Sequence, residues 1–173
     1  MTKKTNILTA LMIFTALTGM TGCDNTPEYV ASSKFYWSSD GGSTYKDGTK
    51  EYEVGEAVYM QLLVQVNSTS SKQEKINVSL EIPYIQDVVS KYLDGEQITP
   101  ETDELNHITT YKFATIASKN VSQAPTQIIF RFIPTKVTDI TLKLTFDDRI
   151  DPIYNKQNTI TFIEPKSNTS DGE

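Results

Sequence analysis

The sequence predicts an all-β protein with the architecture of a single antiparallel β-sandwich of about eight strands. Apolar residues recur with a period of two rather than 3.6, which is typical of strands that bury one face. Turn signals rich in Gly, Asp, Asn and Ser separate the apolar runs. A chain of 173 residues is long enough for one domain with its own core.

The alternation is clearest at residues 58–66, where Val, Met or Leu occupies every second position. The same pattern recurs at residues 76–82, 140–146 and 159–162, and more weakly at 35–37, 109–116 and 127–133. The last of these runs is apolar on both faces, since Phe130 and Phe132 alternate with Ile129 and Ile133. A run that is apolar on both faces predicts a central strand.

Residues 84–93 do not follow this alternation. Ile85, Val88, Val89 and Tyr92 stand at i, i+3, i+4 and i+7, a spacing that predicts a short helical turn at one end of the sandwich. The alternative is an irregular strand, because Val88 and Val89 are β-branched.

Two segments carry a resemblance to known extracytoplasmic domains. Residues 53–67 resemble a recurring strand pattern of bacterial immunoglobulin-like domains, and so do residues 130–134 followed by 140–146. The resemblance implies that the sandwich is immunoglobulin-like.

The first 22 residues predict a secretory signal peptide. Lys3 and Lys4 precede an apolar run at residues 7–17, and small residues follow. The run is shorter than the roughly 20 residues that cross a membrane as a helix. A retained membrane helix is nevertheless an open alternative.

Residues 20–23, Met-Thr-Gly-Cys, resemble the lipobox of bacterial lipoproteins. The resemblance implies cleavage before Cys23, a diacylglycerol on its thiol and attachment to a membrane outside the cytoplasm. A plain secretory signal with an incidental cysteine is the alternative. The predicted organisation is a signal peptide (1–22), a lipidated cysteine and flexible tether (23–33), the sandwich (34–165) and a disordered tail (166–173).

The charge of the chain narrows its partners. The net charge is −6, and it becomes −8 once Lys3 and Lys4 leave with the signal peptide. An acidic chain is a poor partner for nucleic acid. Only Arg131 and Arg149 are arginines, so an arginine cluster for phosphate is not expected.

Residues 38–45, Ser-Ser-Asp-Gly-Gly-Ser-Thr-Tyr, resemble the Asp-box, a hairpin motif of sialidases and other β-propeller proteins. The resemblance implies a local hairpin, because one copy does not make a propeller. Asp40 is expected to accept backbone N–H groups across the turn, and Gly41 and Gly42 to take positive φ angles. A calcium loop and a sialidase-like activity are the alternatives.

Asp147, Asp148 and Asp151 form a second acidic cluster. Three carboxylates could supply part of the six to eight oxygens that Ca²⁺ prefers. Arg149 lies between them and offers a counter-charge instead. The sequence leaves a calcium site and a solvated turn open.

Three aromatic residues, Tyr36, Trp37 and Tyr45, are the candidates for ligand binding. Exposed aromatic side chains stack on sugars or form hot spots for proteins. The alternative is that Trp37 and Phe35 belong to the core and that the tyrosines only line strands.

Catalytic residues are not predicted. His107 is the only histidine, so a histidine-based zinc site or a Ser-His-Asp triad has at most one member. No cofactor is expected apart from the diacylglycerol on Cys23. A carboxylate pair among the 22 acidic residues remains an alternative, because a sequence does not give distances between side chains.

Taken together, these features predict a lipid-anchored lipoprotein of the cell envelope that acts as a non-enzymatic binding module. Its partner would be an envelope protein or a glycan. The alternatives are a small envelope hydrolase with a carboxylate pair and a structural subunit of an envelope assembly. For the structural subunit, we expect an unpaired sheet edge or a large apolar patch.

Overall fold

The computed structural model describes residues 28–48, 51–92, 97–119 and 123–166. Within these ranges the chain forms ten strands and a single 3₁₀ turn at Pro152–Tyr154, and no helix there is long and apolar enough to cross a membrane. The strands are β1 (Tyr29–Ser38), β2 (Glu51–Glu53), β3 (Val58–Ser68), β4 (Glu74–Pro83), β5 (Ile85–Tyr92), β6 (Pro100–Asp103), β7 (Ile108–Ser118), β8 (Thr126–Pro134), β9 (Thr138–Phe146) and β10 (Lys156–Ile163).

The strands pair as two layers. One layer has four strands in the order β1-β3-β8-β5, and the other has six in the order β2-β10-β9-β4-β7-β6. A two-residue parallel ladder, Val66 with Ala117 and Asn67 with Ser118, joins β3 to β7. β2 also runs parallel to β10, so the prediction of a purely antiparallel sandwich is wrong at these two short ladders.

The alternating residues of both layers meet in one core. β3 alternates buried and half-buried residues over its whole length, as the period of two predicts. The rings of Tyr111 on β7 and Phe130 on β8 meet edge to face across the layers, with centroids 4.9 Å apart. The main cluster also includes Leu62, Val64, Leu80, Ile128, Phe132, Leu142, Leu144 and Phe162. The predicted fold class, an all-β sandwich, is therefore confirmed.

β8 lies between β3 and β5, so the central strand predicted from its two apolar faces is confirmed. The helical turn predicted at residues 84–93 is wrong. Ile85–Tyr92 forms β5, which pairs antiparallel with β8 and shifts register between Gln86 and Val89. Such a shift breaks the period of two, which explains why the apolar spacing looked helical. Leu93 lies outside the described residues.

The predicted domain boundary at residue 34 is also wrong, because β1 begins at Tyr29. Tyr29 and Ala31 are buried in a second, smaller core cluster, and the Tyr29 hydroxyl donates a hydrogen bond to Glu74 Oε2 at 2.8 Å. The predicted tether therefore cannot include residues 29–33. The signal peptide, Cys23 and residues 167–173 of the predicted tail lie outside the described ranges.

Candidate interaction site

A tight hairpin at residues 38–45 ends β1. Asp40 Oδ1 accepts the backbone N–H groups of Ser43 and Thr44 at 3.1 and 2.9 Å, and Oδ2 accepts the Thr44 hydroxyl at 2.6 Å. The Ser38 hydroxyl donates to Oδ1 at 2.6 Å. These donors hold the pKa of Asp40 well below its usual range, the Ser38 and Thr44 hydroxyls most strongly. The predicted role of Asp40 as a turn acceptor is confirmed.

The two glycines of the hairpin take the conformations that the sequence predicts. Gly41 and Gly42 have φ angles of +70° and +89°. A Cβ atom on Gly42 would lie 3.0 Å from Tyr59 Cδ1 and 3.2 Å from the Tyr45 hydroxyl. Tyr45, one of the three aromatic candidates, therefore packs against the turn of the hairpin and is half-buried there.

The other two aromatic candidates lie on opposite faces of β1. Trp37 is 2% exposed and belongs to the main core, where its ring centroid lies 5.8 Å from that of Tyr52. Its ring is therefore not available to a ligand, and its predicted binding role gives way to the core interpretation. Tyr36 is half-buried on the outer face. The structure does not bring Tyr36, Trp37 and Tyr45 into one site.

The hairpin returns to the outer edge of β1 at one position, Trp37, and the open part of this edge lies before that residue. Trp37 and Lys46 exchange two backbone hydrogen bonds of 2.8 and 2.9 Å, and this bridge is a single residue pair. In a strand, the backbone N–H and C=O groups of successive residues point to opposite edges. The backbone groups of every second residue counted from Trp37 therefore point away from β3. On the β3 side, the Glu28 carbonyl accepts the Thr69 N–H at 3.0 Å. Both observations direct the N–H and C=O groups of Ala31, Ser33 and Phe35 to the outer edge.

No strand covers this edge in the part of the chain that the structure describes. β1 pairs with β3 over its full length, and the backbone hydrogen bonds on its other side are those to Lys46. β1 is ten residues long and contains no bulge and no proline. Long regular edges of this kind are templates for pairing with another chain.

The remaining edges of the described sandwich are less suited to pairing. β2 has three residues and β6 has four, and short edge strands are a common protection against pairing. β6 also begins with a proline, which lacks an N–H group. β5 carries a register shift, which bends an edge away. β1 is the longest regular edge of the described residues.

A groove of about 550 Å³ borders the open edge of β1. Its lining includes Ser32, Ser33, Lys34 and Tyr36 on β1, Leu63, Gln65 and Pro125 on the outer face beside them, and Ile153, Tyr154 and Lys156 after β9. Ile153 is 79% exposed, so an apolar side chain is available to a ligand at this groove. Ser33 is 8% exposed, and its hydroxyl is without a hydrogen-bond partner among the described residues. We name this feature the β1 groove.

The acidic turn after β9 has an internal structural role. Asp147 Oδ2 accepts Arg149 Nη2 at 2.7 Å and the Asn77 N–H at 2.9 Å. The Arg149 hydrogen bond lowers the pKa of the Asp147 carboxyl. Asp151 instead caps the 3₁₀ turn by accepting the Ile153 N–H. Asp148 is exposed. Nowhere in the described ranges do three acidic, histidine or cysteine residues form a group that could hold a metal.

Arg149 ties this turn to the start of β4. Its guanidinium also donates to the Lys75 carbonyl and lies 3.4 Å from Glu74 Oε2. Glu74 in turn accepts the Tyr29 hydroxyl. Arg149 is thus the counter-charge that the sequence suggested for the acidic cluster.

A second groove, of about 790 Å³, lies on the outer face of the six-stranded layer. It is lined by Lys75, Asn77, Ser79, Lys112, Ala114, Ile116, Thr145 and Asp147, among others. Its charged groups are largely engaged: Asp147 with Arg149, and Lys112 with Glu101 Oε2 at 2.6 Å. It therefore offers a ligand fewer free groups than the β1 groove.

The carboxyls with displaced pKa values do not resemble a general acid. The pKa values of Asp40, Asp103 and Asp147 are all lowered, in each case chiefly by a side-chain hydrogen bond. A general acid in glycoside hydrolysis requires the opposite shift. His107 stacks on Tyr84 at 5.5 Å and has a φ angle of 54°, which places it in the turn between β6 and β7.

No protein-family model and no curated protein matches the chain. Among solved structures, it is similar to a CARDB domain from Pyrococcus furiosus in complex with di-metal ions, with 8% identity and a TM-score of 0.45 over 78% of this chain and 89% of that one. It is also similar to a cohesin module of a family 33 glycoside hydrolase from Clostridium perfringens, with 10% identity and a TM-score of 0.41 over 79% of this chain and 100% of that one. A third similar structure is the major pilin subunit of Bacillus cereus, with 12% identity and a TM-score of 0.39 over 79% of this chain and 40% of that one. Likenesses this distant carry no conclusion about function.

Proposed function

We propose that the protein is a lipid-anchored, non-enzymatic interaction module of the bacterial cell envelope that binds a partner protein at the β1 groove. The observation that carries this proposal is the open edge of β1, where the backbone groups of Ala31, Ser33 and Phe35 have no strand partner among the described residues. A partner protein can satisfy a row of backbone donors and acceptors more fully than a glycan, because a peptide strand presents matching groups at the same spacing.

The lipobox-like residues 20–23 supply the expected address. Two or three acyl chains on Cys23 would anchor the chain stably, since each buried methylene contributes about 0.8 kcal/mol. Between Cys23 and the start of β1 at Tyr29 there are only five residues. The anchored sandwich would therefore stand close to the membrane, where its partner would also be found.

The first experiment tests the anchor. Intact mass and detergent partitioning are measured for the wild type and for Cys23→Ser. We expect the wild type to lose residues 1–22, gain the mass of acyl chains and enter the detergent phase, while Cys23→Ser does not. A wild type that stays in the aqueous phase without added mass contradicts the anchor.

A second experiment tests the interaction surface in cells. A photo-crosslinking amino acid replaces Tyr36, which lines the β1 groove. The matched control replaces Lys143, which is exposed on the outer face of the other layer. We expect a discrete protein adduct from position 36 and none from position 143. Adducts that are absent from position 36, or equal at both positions, contradict the proposal.

The open edge also favours a second candidate, a structural subunit of an envelope assembly, because this is the feature expected of such a subunit. The same crosslinking separates the two. One adduct of fixed size indicates a binding module, whereas a ladder of adducts at regular mass intervals indicates an assembly.

A further inference from the structure

We propose that the β1 groove accepts an extended segment of the partner protein as an added strand, and that this segment carries acidic side chains which contact Lys34 and Lys156. This inference rests on the proposed function and deepens it by naming the chemistry of the partner. Three features of the groove support it: its backbone groups, its charge and its apolar wall.

The backbone groups define the length and position of the added strand. The backbone donors and acceptors of Ala31, Ser33 and Phe35 have no partner strand in the part of the chain that the structure describes. These residues lie at alternate positions, as an incoming strand requires. The bridge between Trp37 and Lys46 closes one end of the edge. An added strand therefore pairs along residues 29–35 and does not extend past Trp37.

The charge of the groove selects an acidic segment. Lys34 and Lys156 both line the groove and are exposed. Neither has an ion pair with any residue that the structure describes. These lysines stand out on a chain whose net charge is −6. Opposite charges across an interface speed association and favour the matching partner over others.

The same lysines disfavour a second copy of this chain as the occupant. Two β1 edges paired with each other would place Lys34 on both strands of the same short ladder. Like charges on neighbouring strands are destabilising, and an outward lysine on an edge strand is a known protection against self-association. The positive charge of the groove therefore favours an acidic strand of another protein over a second copy of this chain.

The apolar wall supplies the remaining contact. Ile153 lies in the groove with 79% of its surface exposed. Side chains of a strand alternate between its two faces, so the added segment can present acidic groups at some positions and an apolar group toward Ile153 at others. The expected segment alternates β-branched or apolar residues with Asp or Glu.

The test selects peptides from a random twelve-residue library displayed on phage, using the full chain purified in detergent. The selected peptides are then synthesised, and their dissociation constants are measured for a set of variants. Ser33→Pro removes an edge-facing N–H group without removing a bond to β3, whereas Ser33→Ala at the same position keeps that N–H group. Lys34→Glu and Lys156→Glu reverse the charge in the groove, and Lys143→Glu makes the same change on the other layer.

We expect the selected peptides to alternate as described and to be rich in Asp and Glu. Their binding should weaken about tenfold or more in Ser33→Pro, because a backbone hydrogen bond is lost, and change little in Ser33→Ala. The double variant Lys34→Glu/Lys156→Glu should weaken binding about tenfold at low salt and less at high salt, while Lys143→Glu should not.

Selection that enriches no sequence, or peptides that bind Ser33→Pro as well as they bind the wild type, would overturn the inference. Selection of neutral or basic peptides whose dissociation constants are unchanged by Lys34→Glu and Lys156→Glu would also overturn it. If Ser33→Pro does not fold, the lysine variants decide the outcome. Failure here together with a specific adduct at position 36 rejects the acidic strand but leaves the interaction module standing, whereas failure of both experiments rejects both.

Discussion

Trp37 and Lys46 exchange backbone hydrogen bonds of 2.8 and 2.9 Å, and this one pair determines how much of β1 remains open. The hairpin that Asp40 stabilises turns the chain back toward β1, but the returning segment pairs at a single position. The side chain of Trp37 is meanwhile buried in the core. The hairpin therefore closes one end of the β1 groove, and the rest of the edge has no strand partner among the described residues.

The two glycines of this hairpin should respond differently to alanine. Gly41→Ala places a side chain at φ +70° in open space, so the free energy of unfolding should fall by about 1 kcal/mol. Gly42→Ala combines φ +89° with a Cβ atom 3.0 Å from Tyr59, and should cost about 2–3 kcal/mol. Urea denaturation of both variants measures the difference. Equal losses would show that Tyr59 and Tyr45 do not confine Gly42.

The stability of the hairpin should depend on pH through Asp40. Hydrogen bonds from the Ser38 and Thr44 hydroxyls hold the pKa of the Asp40 carboxyl well below its ordinary value. A carboxyl with a lowered folded pKa contributes stability above its unfolded pKa, and this contribution is lost as the pH falls toward the folded pKa.

Thermal unfolding of the wild type and Asp40→Asn should therefore diverge at neutral pH and converge below about pH 4. The wild type should be the more stable protein at neutral pH. Asp148→Asn makes the same charge change on an exposed turn residue and serves as the control. A constant difference between wild type and Asp40→Asn across this pH range would contradict the assigned hydrogen bonds.

Tyr111 is fully buried, and its hydroxyl is without a hydrogen-bond partner among the described residues. Tyr111→Phe keeps the edge-to-face contact with Phe130 and removes the unsatisfied hydroxyl. The free energy of unfolding should stay the same or rise by up to about 2 kcal/mol. Tyr111→Ala should lower it by about 3–5 kcal/mol, because it leaves a cavity between the layers. A clear loss of stability in Tyr111→Phe would reveal a partner for the hydroxyl.

Arg149 should not be replaceable by lysine. Its guanidinium contacts Asp147, Glu74 and the Lys75 carbonyl together, and the single ammonium of lysine cannot reach the same set. Because the side chain is 39% exposed, the loss in Arg149→Lys should be modest, about 1 kcal/mol. Chemical denaturation of Arg149→Lys beside Arg131→Lys measures it. Full stability in Arg149→Lys would mean that charge alone, rather than the geometry of the guanidinium, holds the turn.

The sequence predicts which face of a strand is buried better than it predicts which other strands pair with it. The period of two correctly identifies β3, β4, β9 and β10, because burial of one face requires it. It also identifies β8 as central, since Ile129 and Ile133 make the outer face of this strand largely apolar as well. β2 and β6 escape prediction because strands of three and four residues are too short to display a period. The irregular register of β5 produces a spacing that resembles a helix.

The candidate site is harder to predict from the sequence than the strands, because it depends on contacts between segments that are distant in the chain. Local chemistry identified the role of Asp40 correctly, because an Asx turn involves residues that are close in sequence. Tyr36 and Trp37 carry equal aromatic signals, yet one lines the β1 groove and the other lies in the core. The open edge of β1 has no sequence signal, since it depends on which distant segment fails to pair there.

Residue-resolved amide hydrogen exchange along β1 measures whether the outer edge of this strand is open to a partner. In the full chain, we expect fast exchange at Ala31, Ser33 and Phe35, whose N–H groups face the open edge. We expect slow exchange at Ser32, Lys34 and Tyr36, whose N–H groups face β3. Trp37 should be slow because it bonds to Lys46. Uniform protection along β1 would show that another segment already covers the edge, and would contradict an interaction site there.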